Sequence, residues 1–366
     1  MIRTKLNELI DLKYPIIQGG MNFSQDLAAA VSNAGALGLL SASYIAYATG
    51  KVVGWPETAR GNPIIKEPPK EHLKKVLYQL ADETRESKGI FGLNLMLSSE
   101  MVEWAQEAIQ VIKEIREEDS DMRNRLKVIH TSAGNPVPWS DAIKSLGIKW
   151  FHVIPSVKHA LKAKQADVDL IVASGHEGGM HIAWEPVHSM VLLPAVVKAV
   201  DVPVVGAGGF CDGLSLAGAL ALGAHGIQMG TRFVATKESD FPQLHKELIV
   251  RYNERETTVF RATVGPGRYL KSETAKELTL LTLKNSPGFF LGEPNDLVEV
   301  SRDFMAKELA AYQKLNDGIE EGAIIPSGEV AGRINDIPTV KELIDRIMVE
   351  AEEIIRGLPN KFIRET

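Results

Sequence analysis

A histidine and a carboxylate share one glycine-rich run, Gly175-His176-Glu177-Gly178-Gly179-Met180-His181, which follows the apolar stretch Leu170-Ile171-Val172-Ala173. An imidazole has a reference pKa of about 6.5, so His181 is a candidate general acid/base at neutral pH, with Glu177 four residues before it. The competing reading is a structural histidine hydrogen-bonded within the turn. Two more turns follow apolar stretches: Gly206-Ala207-Gly208-Gly209, with Asp212 leading a helical pattern, and Gln228-Met229-Gly230-Thr231. Paired glycines let backbone N–H groups approach an anion, a helix N-terminus adds partial positive charge, and Thr231 adds a hydroxyl. Plain turn chemistry also asks for glycine. The three turns together predict one pocket with a phosphate at one side and an imidazole at the other.

Other polar residues carry less. His176, His181 and His188 with Glu177 and Glu185 contain no His-Glu-x-x-His and have no cysteine nearby, so no metal is expected. Cys211 is the single cysteine; it excludes an intrachain disulfide and reads as a small buried residue rather than a nucleophile. Asn94, inside Gly92-Leu93-Asn94-Leu95-Met96, is polar in an apolar strand and needs a partner, either a ligand's polar edge or a backbone group.

Those turns need strands to place them. Eight strands are expected, at Pro15–Gln18, Leu37–Ser41, Gly89–Leu95, Lys127–His130, Trp150–Ile154, Leu170–Ala173, Pro203–Gly206 and Gly226–Met229. Several are continuously apolar, as strands covered on both faces are. Amphipathic helical patterns lie between them at Gln25–Asn33, His72–Ser87, Glu100–Glu118, Ser140–Leu146, Val157–Gln165, Pro186–Val200 and Leu214–Leu222. The alternation predicts an α/β fold of the (β/α)8 TIM barrel type, with a doubly wound open sheet as the alternative. Two segments break the rhythm. Tyr44–Pro69 is too rich in Gly and Pro for regular structure and reads as an excursion over the barrel mouth or as a surface loop without a role. Residues 238–322 read as a smaller, mainly helical lid inserted after strand eight, with helices at Phe241–Arg255, Pro294–Val298 and Ser301–Asp317 and an extended or looped stretch at Thr263–Lys271. Residues 1–237 and 323–366 would then form the barrel domain. A final helix, Thr339–Arg356, carries an apolar stripe at Leu343, Ile347, Val349, Ile354 and Ile355 that would pack back on the barrel.

Of the 366 residues 45% are hydrophobic and 24% charged, which is ordinary globular composition. A net charge of -6 leaves no basic footprint for nucleic acid. No apolar run is long enough to span a membrane, and the first residues lack a signal-peptide core, so a cytoplasmic protein is expected.

The chain resembles the FMN-dependent nitronate monooxygenases, formerly 2-nitropropane dioxygenases, and the related FMN-dependent enoyl-acyl-carrier-protein reductases. The resemblance runs through Pro15-Ile16-Ile17-Gln18-Gly19-Gly20-Met21, Gly92 to Met96, His152-Val153-Ile154-Pro155-Ser156-Val157, Gly175 to His181, Gly206 to Gly209, Gln228-Met229-Gly230-Thr231-Arg232-Phe233 and Ser327-Gly328-Glu329, in order. It implies a flavoprotein barrel with FMN held non-covalently at the strand C-terminal ends. Gly19, Gly20 and Met21 would lie by the flavin ring, with Asn94 hydrogen-bonding near it. Gly179, Gly208, Gly209, Gln228, Met229, Gly230 and Thr231 would hold the ribityl chain and phosphate. His181 would be the acid/base residue. Four departures lie on the substrate side: Met180 stands where the family pattern has Gly, Ser174 stands at the cofactor's edge where Gln or Glu is common, His176 is an extra imidazole in the turn, and Tyr44–Pro69 has no counterpart in the pattern.

Three functions compete at this level. The first is oxidation of alkyl nitronates or nitroalkanes with oxygen to a carbonyl compound and nitrite. The second is NAD(P)H-dependent reduction of enones, quinones or enoyl thioesters through FMN. The third is a flavin-free barrel binding a phosphorylated metabolite. Each takes a small-molecule partner, and a homo-oligomer is compatible with all three.

Overall fold

A computed structural model describes residues 1–21, 24–48, 66–263, 265–293 and 300–363. Eight parallel strands make one sheet: β1 (Ile16–Gln18), β2 (Gly38–Ser41), β3 (Phe91–Met96), β4 (Leu126–Ser132), β5 (Lys149–Ile154), β6 (Leu170–Ser174), β8 (Val204–Ala207) and β9 (Ile227–Met229). Their order is β1-β9-β8-β6-β5-β4-β3-β2, and an Ile17–Leu37 bridge joins β1 back to the β2 end, which closes the (β/α)8 TIM barrel. All eight strands stand where the apolar runs place them, with ends shifted by no more than two residues. Both faces are covered, which is why their sequences lack polar alternation.

The barrel interior is a stack of Ile17, Leu37, Leu39, Val128, Phe151, Leu170, Val172 and Val205, closed at the strand N-terminal end by Leu6 and Ile10 of helix Lys5–Ile10. A polar layer of Asn94, His130 and Gln228 lies toward the strand C-terminal ends. The ligand-facing end of such a barrel is therefore the upper, polar one.

A second sheet sits across that end. Strand β7 (Met180–His181) pairs antiparallel with β11 (Gly265–Leu270), which pairs antiparallel with β10 (Thr257–Ala262). The stretch expected to be extended or looped after Thr263 is thus a hairpin arm, and a helix at Glu273–Asn285 follows it that the pattern did not reveal. Helices Gln243–Arg251 and Arg302–Asn316 fall inside the expected ones; Pro294–Val298 lies outside the described residues. Residues 42–48 form a helix, correcting the reading of the segment from Tyr44 as irregular from its start; most of the rest of it, 49–65, lies outside the described residues.

The closing helix runs Val340–Phe362 and packs on helix Gly213–Ala221. Its buried stripe is Val340, Leu343, Ile344, Ile347, Met348 and Ala351. Val349 and Ile355 of the expected stripe are exposed: Val349 lies off the i, i+4 row of Leu343, Ile347 and Ala351, and Ile355 continues that row into the last turns of the helix, where no residue after Ala351 is buried. No described helix is long and apolar enough to cross a membrane.

Candidate active site

A cavity of ≈ 420 Å³ opens at the C-terminal ends of the barrel strands. Its lining includes His181, Gly19, Gly20, Met21, Asn94, Ser174, Gly179, Gly208, Gly209, Gln228, Gly230 and Thr231. Every residue expected at the site therefore meets in one place except Met229. The Met229 side chain is buried in the barrel–helix core, and only its carbonyl reaches the site, accepting the Gly19 N–H at 2.9 Å.

The glycines divide into two kinds. A Cβ on Gly175, Gly179 or Gly208 would come within 2.0–2.5 Å of Ser189 Oγ, Gly328 N or Gly175 O, so these three exist for contact between neighbouring turns. Gly19, Gly178, Gly209 and Gly230 have nothing closer than 3.4 Å at the same position. Their missing side chains leave a cradle along the cavity wall, which fits a ligand lying close against backbone. The cavity size falls in the range of cofactor pockets, roughly 300–1,000 Å³.

Glu177 does not act as a companion to His181. Its carboxylate accepts the Ser189 N–H at 2.8 Å and the Ser189 hydroxyl at 3.0 Å, at the start of helix Ser189–Ala199. The Ser189 hydroxyl lies 2.6 Å from the Gly208 carbonyl, so this contact ties the turn after β6 to the turn after β8. The helix start after β8 is likewise occupied from within. Asp212 accepts from Ser215 N at 2.8 Å, and Glu350 from Gly213 N at 2.8 Å. The expected contribution of that helix terminus to anion binding is corrected accordingly: two carboxylates already take its amides. The turns of Gly208, Gly209, Gly230 and Thr231 line the cavity beside it.

The network beneath the cavity was not foreseen. His130 projects inward from β4. Its Nδ1 accepts from the Asn94 amide nitrogen at 2.9 Å, and its Nε2 meets Gln228 Oε1 at 2.8 Å. An amide NH2 only donates and an amide oxygen only accepts, so Nε2 carries the hydrogen. Burial pushes the His130 pKa down to about 4, keeping the ring neutral in that tautomer. Asn94 thus finds a buried imidazole as its partner. Strand parity carried the signal, since Val128 and His130 share the inward face.

His176, the second imidazole of the turn, is structural. Its Nδ1 lies 3.2 Å from Arg268 Nη2, and its carbonyl accepts from Arg268 Nε and Nη2. Arg268, on β11, also pairs with Glu329 at 2.8 Å. Burial and the Arg268 charge lower the His176 pKa to about 4. Cys211 is buried, and burial raises its thiol pKa to about 12, which fits the packing role. Among the described residues no three His, Cys, Asp or Glu side chains group to hold a metal.

A family model described as Nitronate monooxygenase matches residues 3–350. The chain belongs to the nitronate monooxygenase family. It is 29% identical over 98% of both chains to a (3aS,4S,5R,7aS)-5-hydroxy-7a-methyl-1-oxo-octahydro-1H-indene-4-carboxyl-CoA dehydrogenase of Rhodococcus jostii. It is 26% identical to a probable nitronate monooxygenase of Staphylococcus aureus over 72% of this chain and 76% of that one. Among solved structures, FabK from Thermotoga maritima superposes with a TM-score of 0.77 and 30% identity, covering 99% of this chain and all of that one. The family's members are oxidoreductases, and so is this chain.

Buried neutral imidazoles make this family member's stability depend on pH. The His152 pKa, lowered by burial, is about 3, and those of His130 and His176 are about 4, against about 6.5 in an unfolded chain. Between those values the unfolded chain binds protons that the folded one refuses. Stability is therefore full above pH 6.5 and falls as pH drops toward 4, by about 3 kcal/mol for His130 alone. Urea midpoints measured from pH 7 to 4.5 should fall steadily, and His130→Gln should flatten part of the slope; a midpoint independent of pH would contradict the neutral assignments.

Proposed function

We propose that this chain is an FMN-dependent oxidoreductase acting on acyl thioesters or related enones, with NAD(P)H as redox partner and His181 as the proton-transfer group. The observation that carries the cofactor is the glycine cradle at the ends of β1, β6, β8 and β9, set beside the His181 strand in one cavity. Bound FMN supplies two-electron chemistry. The protein's part is to hold it and to move the proton. Gly19, Gly20, Met21 and Asn94, which line the cavity, would pack against the flavin ring. Gly179, Gly208, Gly209, Gln228, Gly230 and Thr231 would hold the ribityl chain and phosphate, with Ser174 at the edge. Because His130 orders the amides, Asn94 offers its oxygen and Gln228 its NH2 toward the Gly19–Gly20 turn, a matched acceptor and donor for a planar heterocycle edge.

The substrate class rests on extent of likeness. The CoA dehydrogenase matches this chain end to end, whereas the nitronate monooxygenase relative matches 72% of it. Segment 238–322 also builds one wall of the cavity through Phe241, His245, Tyr312 and Leu315. Oxidation of alkyl nitronates with oxygen is the second reading, favoured by the family itself. Reduction of an enone or enoyl thioester needs an acid that delivers a proton to the carbon beside the carbonyl, and oxidation that starts from a neutral nitroalkane needs a base at the carbon beside the nitro group; His181, exposed on β7, is the candidate for either.

An anaerobic visible spectrum separates the readings. A flavin band bleached by NADH or NADPH and restored by crotonyl-CoA is the expected result. Bleaching by propyl-2-nitronate but not by NAD(P)H would move the assignment to nitronate oxidation, and a protein that cannot be reconstituted with FMN would overturn both.

A further inference from the structure

Met180 has a left-handed backbone, φ 58°, where the resembled family pattern has Gly. A non-glycine residue there costs on the order of 1 kcal/mol, so its side chain should be held by something. The thioether sits against two phenols. Tyr312 Oη lies 3.2 Å from Met180 Sδ, Tyr269 Oη lies 3.7 Å from it, and the two hydroxyls are 2.9 Å apart. Tyr269 is fully buried and stacked on Phe260, with ring centroids 4.2 Å apart. Tyr312, on helix Arg302–Asn316, lines the cavity together with Met180 and His181.

Sulfur in a thioether only accepts, and the shorter contact is from Tyr312. The chain of donation therefore runs from Tyr269 to Tyr312 to Met180. A thioether is a weak acceptor, far weaker than a carbonyl, nitro or nitronate oxygen. We infer that Tyr312 is the residue that receives the substrate's oxygen beside His181, and that Met180 Sδ parks the Tyr312 proton until that oxygen arrives. The inference rests on the functional reading above and deepens it. Removing a proton from an activated carbon shifts negative charge onto the neighbouring oxygen, so the site needs a donor for that oxygen as well as a base. Donation from Tyr269 strengthens Tyr312 as a donor by polarising its hydroxyl. The ligand class is thus a small molecule with an oxygen acceptor one carbon from the C–H bond worked on by His181.

The test is calorimetric binding of propyl-2-nitronate and of crotonyl-CoA to the flavin-loaded wild type and to two variants, with flavin content read separately by absorbance. Tyr312→Phe should weaken the probe that the wild type binds by about 10- to 100-fold, the worth of a hydrogen bond to a charged or strongly polarised oxygen, with flavin content unchanged. Met180→Leu should tighten the same probe a few-fold, because the parked proton is released. Binding to Tyr312→Phe within twofold of wild type would overturn the assignment. So would a Met180→Leu variant that loses as much as Tyr312→Phe, since the cluster would then only strap β7 in place, and so would a flavin-loaded wild type that binds neither probe. Failure of the functional reading looks different: no flavin is taken up, or no bleaching occurs with either class of donor.

Discussion

Replacing His181 with alanine should sharply slow turnover of neutral nitroalkanes and acyl thioesters while leaving flavin content unchanged and turnover of a preformed nitronate nearly intact. Proton transfer by a positioned side chain contributes about 10²- to 10⁴-fold, and that is the expected loss with nitroethane. The nitronate anion has already lost its proton, so the step that His181 serves is bypassed. The comparison also separates chemistry from folding. His181 is exposed on a two-residue strand and pairs with Gly267 through backbone, a pairing that alanine keeps. The cradle glycines that would hold the cofactor are untouched. Steady-state rates with nitroethane and ethyl nitronate at one pH decide the matter. Equal loss on both substrates would mean that the imidazole binds rather than moves a proton, and no loss on either would remove His181 from the chemistry.

The barrel was legible because parallel strands buried on both faces leave continuous apolar runs, and a turn rich in Gly marks each functional strand end. The three turns after β6, β8 and β9 were read from sequence and do meet at one cavity. What escaped depends on tertiary contact. Glu177 looks like a catalytic neighbour of His181 in sequence, yet its carboxylate is turned toward the start of a helix that begins twelve residues later. The hairpin of β10 and β11 was hidden by Gly265-Pro266-Gly267, a loop signature that the pairing with β7 and β10 overrides. Tyr312 sits in an ordinary amphipathic pattern, and nothing local separates it from a core residue. Met180 was visible as a departure from the family pattern, but its two phenol partners lie 89 and 132 residues away. His130 was the exception, recoverable from the parity of its strand.

Gly208→Ala should cost more stability than Gly209→Ala, although the two glycines share the same left-handed backbone, φ 81° and 85°. Conformation alone therefore cannot separate them; each alanine pays about 1–2 kcal/mol for that region. Their surroundings differ. A Cβ on Gly208 would meet the Gly175 carbonyl oxygen at 2.5 Å, a backbone atom that cannot rotate aside, whereas one on Gly209 has Glu177 Cβ at 3.6 Å as its nearest neighbour. Relief at Gly208 requires the turn after β6 to move. That turn is fixed by the Gly175 N–H to the Ala207 carbonyl, at 2.8 Å, and by the Glu177–Ser189–Gly208 contacts. The strain is thus passed to the segment that carries Gly178, Gly179 and β7. Gly208→Ala should lose about 3–5 kcal/mol in all, shift the melting temperature by several degrees, and release flavin as the turn moves. Gly209→Ala should lose only the conformational part and still bind flavin more weakly, because its methyl group enters the cradle. Melting temperature and flavin per chain, measured on both variants, give the comparison. Equal melting temperatures would show that the turn after β6 yields freely, and the close packing of turns would then not be what fixes the site.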